Sequence, residues 1–355
     1  MDKSNFHSFE LVKKVFLNFV TDRNVIRITC ETSGIVNMTY RVVTDDCLYI
    51  CQCLNKTIFN TNLNGMIHNY NRYKNAFEVA KNSISKWYIP QWVRTANEEY
   101  FHKDSENNNW RVYPYIDGSV HLTIRSKKEI YAFATAVSLL HNILDYFDGV
   151  PFETIKNFHN LEFYYDEYYN CVSGTQRDKF CEAVISENID LILGVDINYC
   201  PRVIHGDTRI NNVIFDKNFI PISFIDIDTF SYRSRLIDIA DSIRSIADKN
   251  GDFSESEEIN RLNIDAILTF VRAYRESPLY KLTSVEESLL FHAVIYMPFE
   301  LGLRLYTDYL RGSIYFKSAE EQQNLRRARC QFLLFLEMRS DKFKSALQEA
   351  ILGVR

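Results

Sequence analysis

No glycine-rich phosphate loop occurs in the chain. Its 11 glycines never fall as G-x-G-x-x-G or as G-x-x-x-x-G-K-[ST], which argues against a P-loop nucleotide site. The eight cysteines, at positions 30, 47, 51, 53, 171, 181, 200 and 330, include no C-x2-C pair, so they lack zinc-site spacing and read as reduced thiols. Basic residues are not in excess: 41 Lys and Arg face 46 Asp and Glu, a net charge of -5, and no phosphate-backbone partner is expected. No apolar run approaches the length of a membrane span, and the Met1-Asp2-Lys3 start carries no signal-peptide core. These absences give the expectation of a cytoplasmic protein with neither a nucleic-acid nor a membrane partner. Internal repeats and low-complexity segments are also absent.

What the chain does have is material for a large core. With 355 residues, 46% of them hydrophobic, it can form one large domain or two lobes. The first hundred residues alternate strand patterns with turns: Val25 to Glu31, Val36 to Thr44 and Leu48 to Leu54 predict an antiparallel meander. Asn60 to Ser83 is helix-compatible, the polar run 106 to 109 reads as a hairpin loop, and Trp110 to Ile116 predicts a further strand. That strand runs into an extended hinge at Tyr115. Cys51 and Cys53 share a strand face and read as packing residues. Gly34 with Asn37 forms a turn that can approach nucleotide phosphates, although an ordinary hairpin is the competing reading. Ile50 and Gln52 share a face where kinases place an adenine contact and a phosphate-binding Lys; Gln52 can donate hydrogen bonds but carries no charge.

The stretch Arg202 to Thr229, RVIHGDTRINNVIFDKNFIPISFIDIDT, carries the chemistry. Asp207 in His205-Gly206-Asp207 and Asn212 five residues later give H-x-D-x4-N, the kinase catalytic-loop spacing of a base and a metal-binding amide. A strand over Ile222 to Ile227 is expected to deliver Asp226 and Asp228. This set is what Mg2+-assisted phosphoryl transfer requires. Asp238 can either hydrogen-bond the catalytic loop's backbone or act as a first-turn helix acid.

Beyond the hinge the pattern is helical. His141 lies on an apolar stripe and reads as a hydrogen-bonded core histidine, and the tyrosine-rich run Phe163 to Tyr169 reads as core. Capping boxes are expected at Ser284/Glu287 and Ser318/Glu321. Glu300, Arg304 and Asp308 recur every four residues and predict an ion-pair ladder on a solvated helix face.

Nearly the whole chain resembles the N-acetylhexosamine 1-kinases, within the aminoglycoside phosphotransferase and choline kinase superfamily. The likeness runs through GIVNMTY, YICQCLNKTIF, WRVYPYI, HGDTRINNVIFD, FIDIDT, DSIR, LRLYTDYLRGSIYF and NLRRARCQFLLFLEM. It implies an α+β, bilobal, protein-kinase-like fold: a small β-rich nucleotide lobe over 1–116 and a mainly helical lobe over 117–355. It further implies ATP and Mg2+ as cofactors, Asp207 as base, and Asn212 and Asp226 as metal ligands with Asp228 in support. Arg304 and Tyr315 would be sugar contacts, and the product a sugar 1-phosphate. Ile35 and Gly206 depart from the resemblance, where His and Asn can stand. A kinase of another small hydroxyl acceptor and a non-catalytic nucleotide-binding module are the alternatives, and a monomer or weak homodimer is expected.

Overall fold

The computed structural model describes residues 7–31, 36–59, 62–84, 86–171, 177–252, 254–258, 260–316 and 318–353. Gly34 and Ile35 lie outside the described residues. A short helix α1 (Phe9–Phe16) precedes strands β1 (Val25–Glu31), β2 (Met38–Thr44) and β3 (Leu48–Cys53). Helices α2 (Lys56–Phe59) and α3 (Leu63–Ala80) follow, then strands β4 (His102–Lys103) and β5 (Asn109–Pro114). The antiparallel sheet runs in the order β1-β2-β3-β5-β4.

Strand alternation divides this sheet into two faces. Tyr40, Val42, Cys51, Cys53, Trp110 and Val112 point one way and bury against Val12, Val15 and Phe16 of α1. Burying side chains of this size contributes about 1.5–3 kcal/mol each. The cysteines are packing residues, as expected. The register places Gln52 opposite Thr39 on β2 and Arg111 on β5, so these polar residues share the other face, toward the helices.

The helical region begins with α4 (Lys127–Leu144), α5 (Leu161–Tyr169) and α6 (Lys179–Leu193). It continues through β6 (Arg202–Ile204), β7 (Val213–Phe215), β8 (Pro221–Phe224) and β9 (Ser231–Arg233). Helices α7 (Arg235–Ala247), α8 (Ile264–Glu276), α9 (Ser284–Leu310), α10 (Gln323–Met338) and α11 (Asp341–Leu352) complete it. β6 pairs with β9 and β7 with β8. Tyr70, Tyr73 and Ala76 of α3 belong to the large core of this region, not to the core under α1.

Three expectations are corrected. Helix α9 is, by length and mean hydropathy of 1.2, long and apolar enough to cross a membrane, contrary to the reading that no run approaches a span. It is nevertheless a core helix, with 72% of that apolar window buried within the fold. Its capping box forms one residue earlier than expected, between Thr283 and Glu286. That frame lets buried Glu286 also pair with Arg202 and leaves Glu287 to accept from the Tyr280 hydroxyl at 2.5 Å. No box forms at Ser318/Glu321: α10 starts only at Gln323, whose Oε1 accepts from the Ala319 amide at 2.7 Å.

Candidate active site

The polar face of the sheet and the helical region enclose a cleft with a cavity of about 470 Å³. Asn37, Ile50, Gln52 and Tyr115 all line it, as do Asp207, Asn212, Asp226, Arg304 and Tyr315. Residues separated by up to 300 positions in sequence therefore share one cavity, Glu31 and Gln331 being the extremes. The segment after β5 can reach the cavity wall because Gly118 lets it approach β7; a Cβ there would stand 2.7 Å from the Phe215 carbonyl oxygen.

At the centre is the loop between β6 and β7. The Asp238 carboxylate accepts from the backbone amides of His205 at 2.9 Å and Gly206 at 2.8 Å, so the loop-anchor reading is realised, and the residue is at the same time an acid in the first turn of α7. His141 fixes Asp238 in turn, with Nε2 at 3.1 Å from Oδ2 and Nδ1 at 2.8 Å from the Tyr274 hydroxyl. Burial, followed by the Arg235 charge, lowers the His141 pKa to about 4. It is therefore a neutral core histidine that donates to Asp238, matching the sequence reading. Gly206 adopts φ +82°, and a Cβ would meet the Thr229 carbonyl oxygen at 2.7 Å. The departure at this position thus has a backbone cause, since glycine alone takes that conformation without strain.

Asp207 is held by two neighbours. Arg209 donates from Nε to Oδ1 at 2.6 Å and from Nη2 to Oδ2 at 3.2 Å, and Asn212 Nδ2 donates to Oδ2 at 2.8 Å. Burial works to raise the carboxyl's pKa, but the Arg209 charge outweighs it and the group lies below the usual range. The Asn212 amide also donates to the Asp207 carbonyl at 2.8 Å, which leaves its own carbonyl oxygen available.

Asp226 and Asp228 do not share a strand face. β8 ends at Phe224 and Asp226 takes φ +60°, opening a single turn of 3-10 helix. The two carboxylates part as a result. Asp228 is buried and paired with both terminal nitrogens of Arg111, at 2.5 and 2.6 Å. The expectation that Asp228 supports a metal is corrected on this point, because its oxygens already have a cation. Gln52 is likewise engaged: its Oε1 accepts from Arg111 Nε at 2.9 Å and its Nε2 donates to Thr39 at 3.1 Å. In this arrangement its side-chain oxygen holds Arg111, and one of its two N–H donors is taken by Thr39. Replacing Arg111 by Met strands a buried carboxylate and an amide, with an expected loss of about 3–5 kcal/mol. Urea denaturation should show that loss and its substantial recovery in Arg111→Met/Asp228→Leu; an unchanged midpoint in the single variant would refute the pairing.

Asp226 has no hydrogen-bond donor among the described residues. Burial, then the negative charges of Asp228 and Asp207, push its pKa well above the ordinary carboxylate range. A carboxylate crowded by other acids, on a cleft wall shared with the Asn212 side-chain oxygen, which has no donor among the described residues, fits a hard divalent cation. Mg2+ takes one or two protein oxygens and fills its remaining positions with water and phosphate. The described residues contain no cluster of three or more His, Cys, Asp or Glu side chains suited to a metal, so any such ion would rest largely on the nucleotide.

At another wall, α9 ends at Leu310, and Gly312 at φ +87° turns the chain back. The Arg304 guanidinium and the Tyr315 hydroxyl consequently meet at 3.5 Å. Four rings surround Arg304, with centroids at 5.0 Å for Phe158, 4.9 Å for Tyr164, 5.7 Å for Tyr315 and 5.6 Å for Phe316. The expected solvated ladder is not there. Glu300 is buried and 3.5 Å from Arg304, while Asp308 turns away and accepts from the backbone amides of Ile314, Tyr315 and Phe316 at 2.9, 2.7 and 2.9 Å. Core packing of the tyrosine helix α5 is realised only in part: Leu161 and Tyr168 are its buried residues, and Tyr164 is in the ring group about Arg304.

Three residues of the site were not singled out from sequence. Arg209, two positions after Asp207, was visible from its place in the motif. Arg111 could be found only by registering β5 against Gln52. His159 left no signal: it bridges Glu300, 3.1 Å from Nδ1, and the Gly206 carbonyl, 2.6 Å from Nε2. Burial disfavours its charge, but Glu300 outweighs burial and raises the pKa. With acceptors on both sides, both ring nitrogens donate.

A two-part kinase-like fold enclosing an aspartate, an amide and a second acid defines the class as a phosphotransferase. Residues 72–274, more than half the chain, match the APH family, described as "Phosphotransferase enzyme family", and the chain belongs to that family. Among solved structures it is similar to a microcompartment-associated aminopropanol kinase, at 12% identity and a TM-score of 0.64, covering 96% of this chain and 99% of the other. It is also similar to an aminoglycoside phosphotransferase from Alicyclobacillus acidocaldarius subsp. acidocaldarius, at 11% identity and a TM-score of 0.59, covering 99% of each chain. A third is an amicoumacin kinase in complex with AMP-PNP, Ca2+ and Ami, at 13% identity and a TM-score of 0.58, covering 93% of this chain and 94% of the other. At these identities the likeness is one of fold, and it agrees with the expected α+β bilobal architecture.

Proposed function

We propose that this phosphotransferase moves the γ-phosphoryl group of ATP to the anomeric hydroxyl of an N-acetylhexosamine-type sugar. Asp207 orients the attacking hydroxyl and receives its proton. Asn212 and Asp226 would hold Mg2+, which when bound neutralises charge on the nucleotide phosphates. Arg209, beside Asp207 on the cleft wall, supplies a further cation toward the transferring group. Asn37, Ile50, Gln52 and Tyr115 belong to the nucleotide side of the cleft, within a nucleotide lobe spanning 1–116, and the acceptor lies against the 117–355 lobe.

The observation that carries the choice of acceptor is the ring enclosure around Arg304. Aromatic boxes of this kind receive cations, and this one already contains a cation of the protein's own. A choline-like head group finds its place taken, whereas a neutral, oxygen-rich acceptor finds guanidinium and phenol donors. The second reading is an amino alcohol or aminoglycoside acceptor. It is favoured by Asp241, which lines the cleft and whose buried Oδ2 has no hydrogen-bond donor.

ADP release across hexoses, N-acetylhexosamines, choline, amino alcohols and aminoglycosides separates the two readings. Arg304→Ala and Tyr315→Phe are each expected to raise KM for the sugar, by about 1–3 kcal/mol per lost contact, or roughly 5- to 150-fold. KM for ATP should stay within about twofold. Parental sugar kinetics in both variants, or better use of choline or an aminoglycoside by the parent, would remove the sugar assignment.

A further inference from the structure

Three walls of the cleft carry an enclosed oxygen that accepts no hydrogen bond. They are Asn211 Oδ1 on the catalytic loop, Asp241 Oδ2 on α7 and Gln331 Oε1 on α10. Gln331 is the more buried of the two neutral amides. The residue is only 7% exposed, and its enclosed side-chain oxygen has no hydrogen-bond partner among the described residues. Native folds seldom leave a buried amide oxygen unmatched, because its desolvation is then uncompensated. Its neighbours on the helix are engaged elsewhere. Arg329 faces Asp178 and Glu257, and Arg327 one turn earlier faces Asn324 and Glu255. Where α10 lines the cavity, beside the cation of Arg327, Gln331 brings a neutral donor and a neutral acceptor.

We propose that Gln331 is a specificity-determining residue of the acceptor chamber, reading a neutral group on the acceptor that offers a donor next to an acceptor. An N-acyl amide presents that pair as N–H and C=O, and a vicinal diol presents it as two hydroxyls. The carboxamide matches either with two hydrogen bonds, its Oε1 accepting and its Nε2 donating. The unmatched oxygens of Asn211 and Asp241 extend the same demand, since three acceptors without donors call for a ligand rich in O–H or N–H groups. A quaternary ammonium offers none. This inference rests on the phosphotransferase reading of the cleft and adds the substrate chemistry that α10 selects.

The test compares Gln331→Met, close in volume but unable to hydrogen-bond strongly, and Gln331→Glu, which keeps the oxygen and loses the donor. Thermal unfolding of the ligand-free proteins is read first, then kcat/KM over N-acetylglucosamine, glucosamine, glucose and 2-deoxyglucose. Without ligand, Gln331→Met should unfold at the parental temperature or above it, because an unmatched amide has been removed. Its kcat/KM for the acceptor the parent prefers should fall about 10- to 100-fold with KM for ATP unchanged. For the acceptor lacking the recognised group, parent and variant should agree within about threefold. Gln331→Glu should recover part of the loss only if the oxygen is the recognising atom. A drop of several degrees in Gln331→Met would make the residue structural and overturn the proposal. A uniform loss over all four acceptors, or an unchanged preference, would overturn it as well. If the parent releases no ADP with any of the four, the sugar-kinase reading itself fails. The subsite is then decided by calorimetric titration of the same compounds into parent and Gln331→Met, with equal affinities counting against it.

Discussion

Asp207→Asn is expected to lower turnover by about 100- to 10,000-fold while Mg-ATP continues to bind. The substitution preserves shape and removes the charge that accepts the attacking hydroxyl's proton. Arg209 and Asn212 are the groups that hold this carboxylate, through contacts of 2.6 to 3.2 Å, so two effects on the nucleotide follow. Arg209 loses its strongest partner and becomes freer to meet phosphate, and a negative charge disappears from the neighbourhood of the nucleotide. Both leave nucleotide affinity intact or raise it, so the defect should fall on kcat. Steady-state ADP release together with titration calorimetry distinguishes the cases. Turnover within threefold of the parent, or a loss of Mg-ATP affinity as large as the loss of kcat, would remove Asp207 from the base role.

The second large effect has opposite signs in function and stability. Asp226→Asn should weaken Mg2+-dependent ATP binding by at least about 10- to 100-fold. Loss of even an outer partner of a metal site typically costs that much, and this residue would be a direct ligand. Stability of the metal-free protein should instead rise. Burial and the charges of Asp228 and Asp207 raise the folded-state pKa of Asp226 above its unfolded value. A carboxyl shifted in that direction opposes folding once pH exceeds the unfolded pKa, and the penalty grows as pH rises toward the folded pKa. Removing the charge relieves that penalty at neutral pH. Melting temperatures measured in chelator should therefore be higher for the variant, with the gap closing below the ordinary carboxylate range. Unaltered Mg-ATP affinity would show that the cation is held elsewhere.

Much of the fold was readable because strands and helices differ in apolar period. β1 falls on Val25–Glu31 as expected, and β2, β3 and β5 differ from their expected spans by one or two residues at the ends. What local pattern could not show was pairing across distance. Asp228 looks from sequence like a second metal acid, and only the left-handed backbone at Asp226 and the approach of Arg111 reveal that it is not free. The Glu300, Arg304, Asp308 spacing was read correctly as one helix face, but whether that face meets water depends on where α5 and the 312–316 turn come to lie. Capping boxes failed for a similar reason, since neighbouring Ser, Thr and Glu residues offer competing frames and tertiary contacts to Arg202 and Tyr280 choose between them. The place of the loop between β6 and β7 was the most legible part, because the spacing of Asp207 and Asn212 singled it out and both residues line the cleft.

The pairing of Arg111 with Asp228 also bears on how the cleft can release product. Arg111 belongs to the five-stranded sheet and Asp228 to the turn that presents Asp226. Spreading the sheet away from the helices must either break this ion pair or draw the Asp226 turn along with the sheet. In the first case the proposed exit of ADP would carry an electrostatic barrier that salt screens little, because the pair is buried. In the second, opening itself would displace the carboxylate proposed to hold Mg2+, so nucleotide and ion would depart in one event and their dissociation would follow a single exponential.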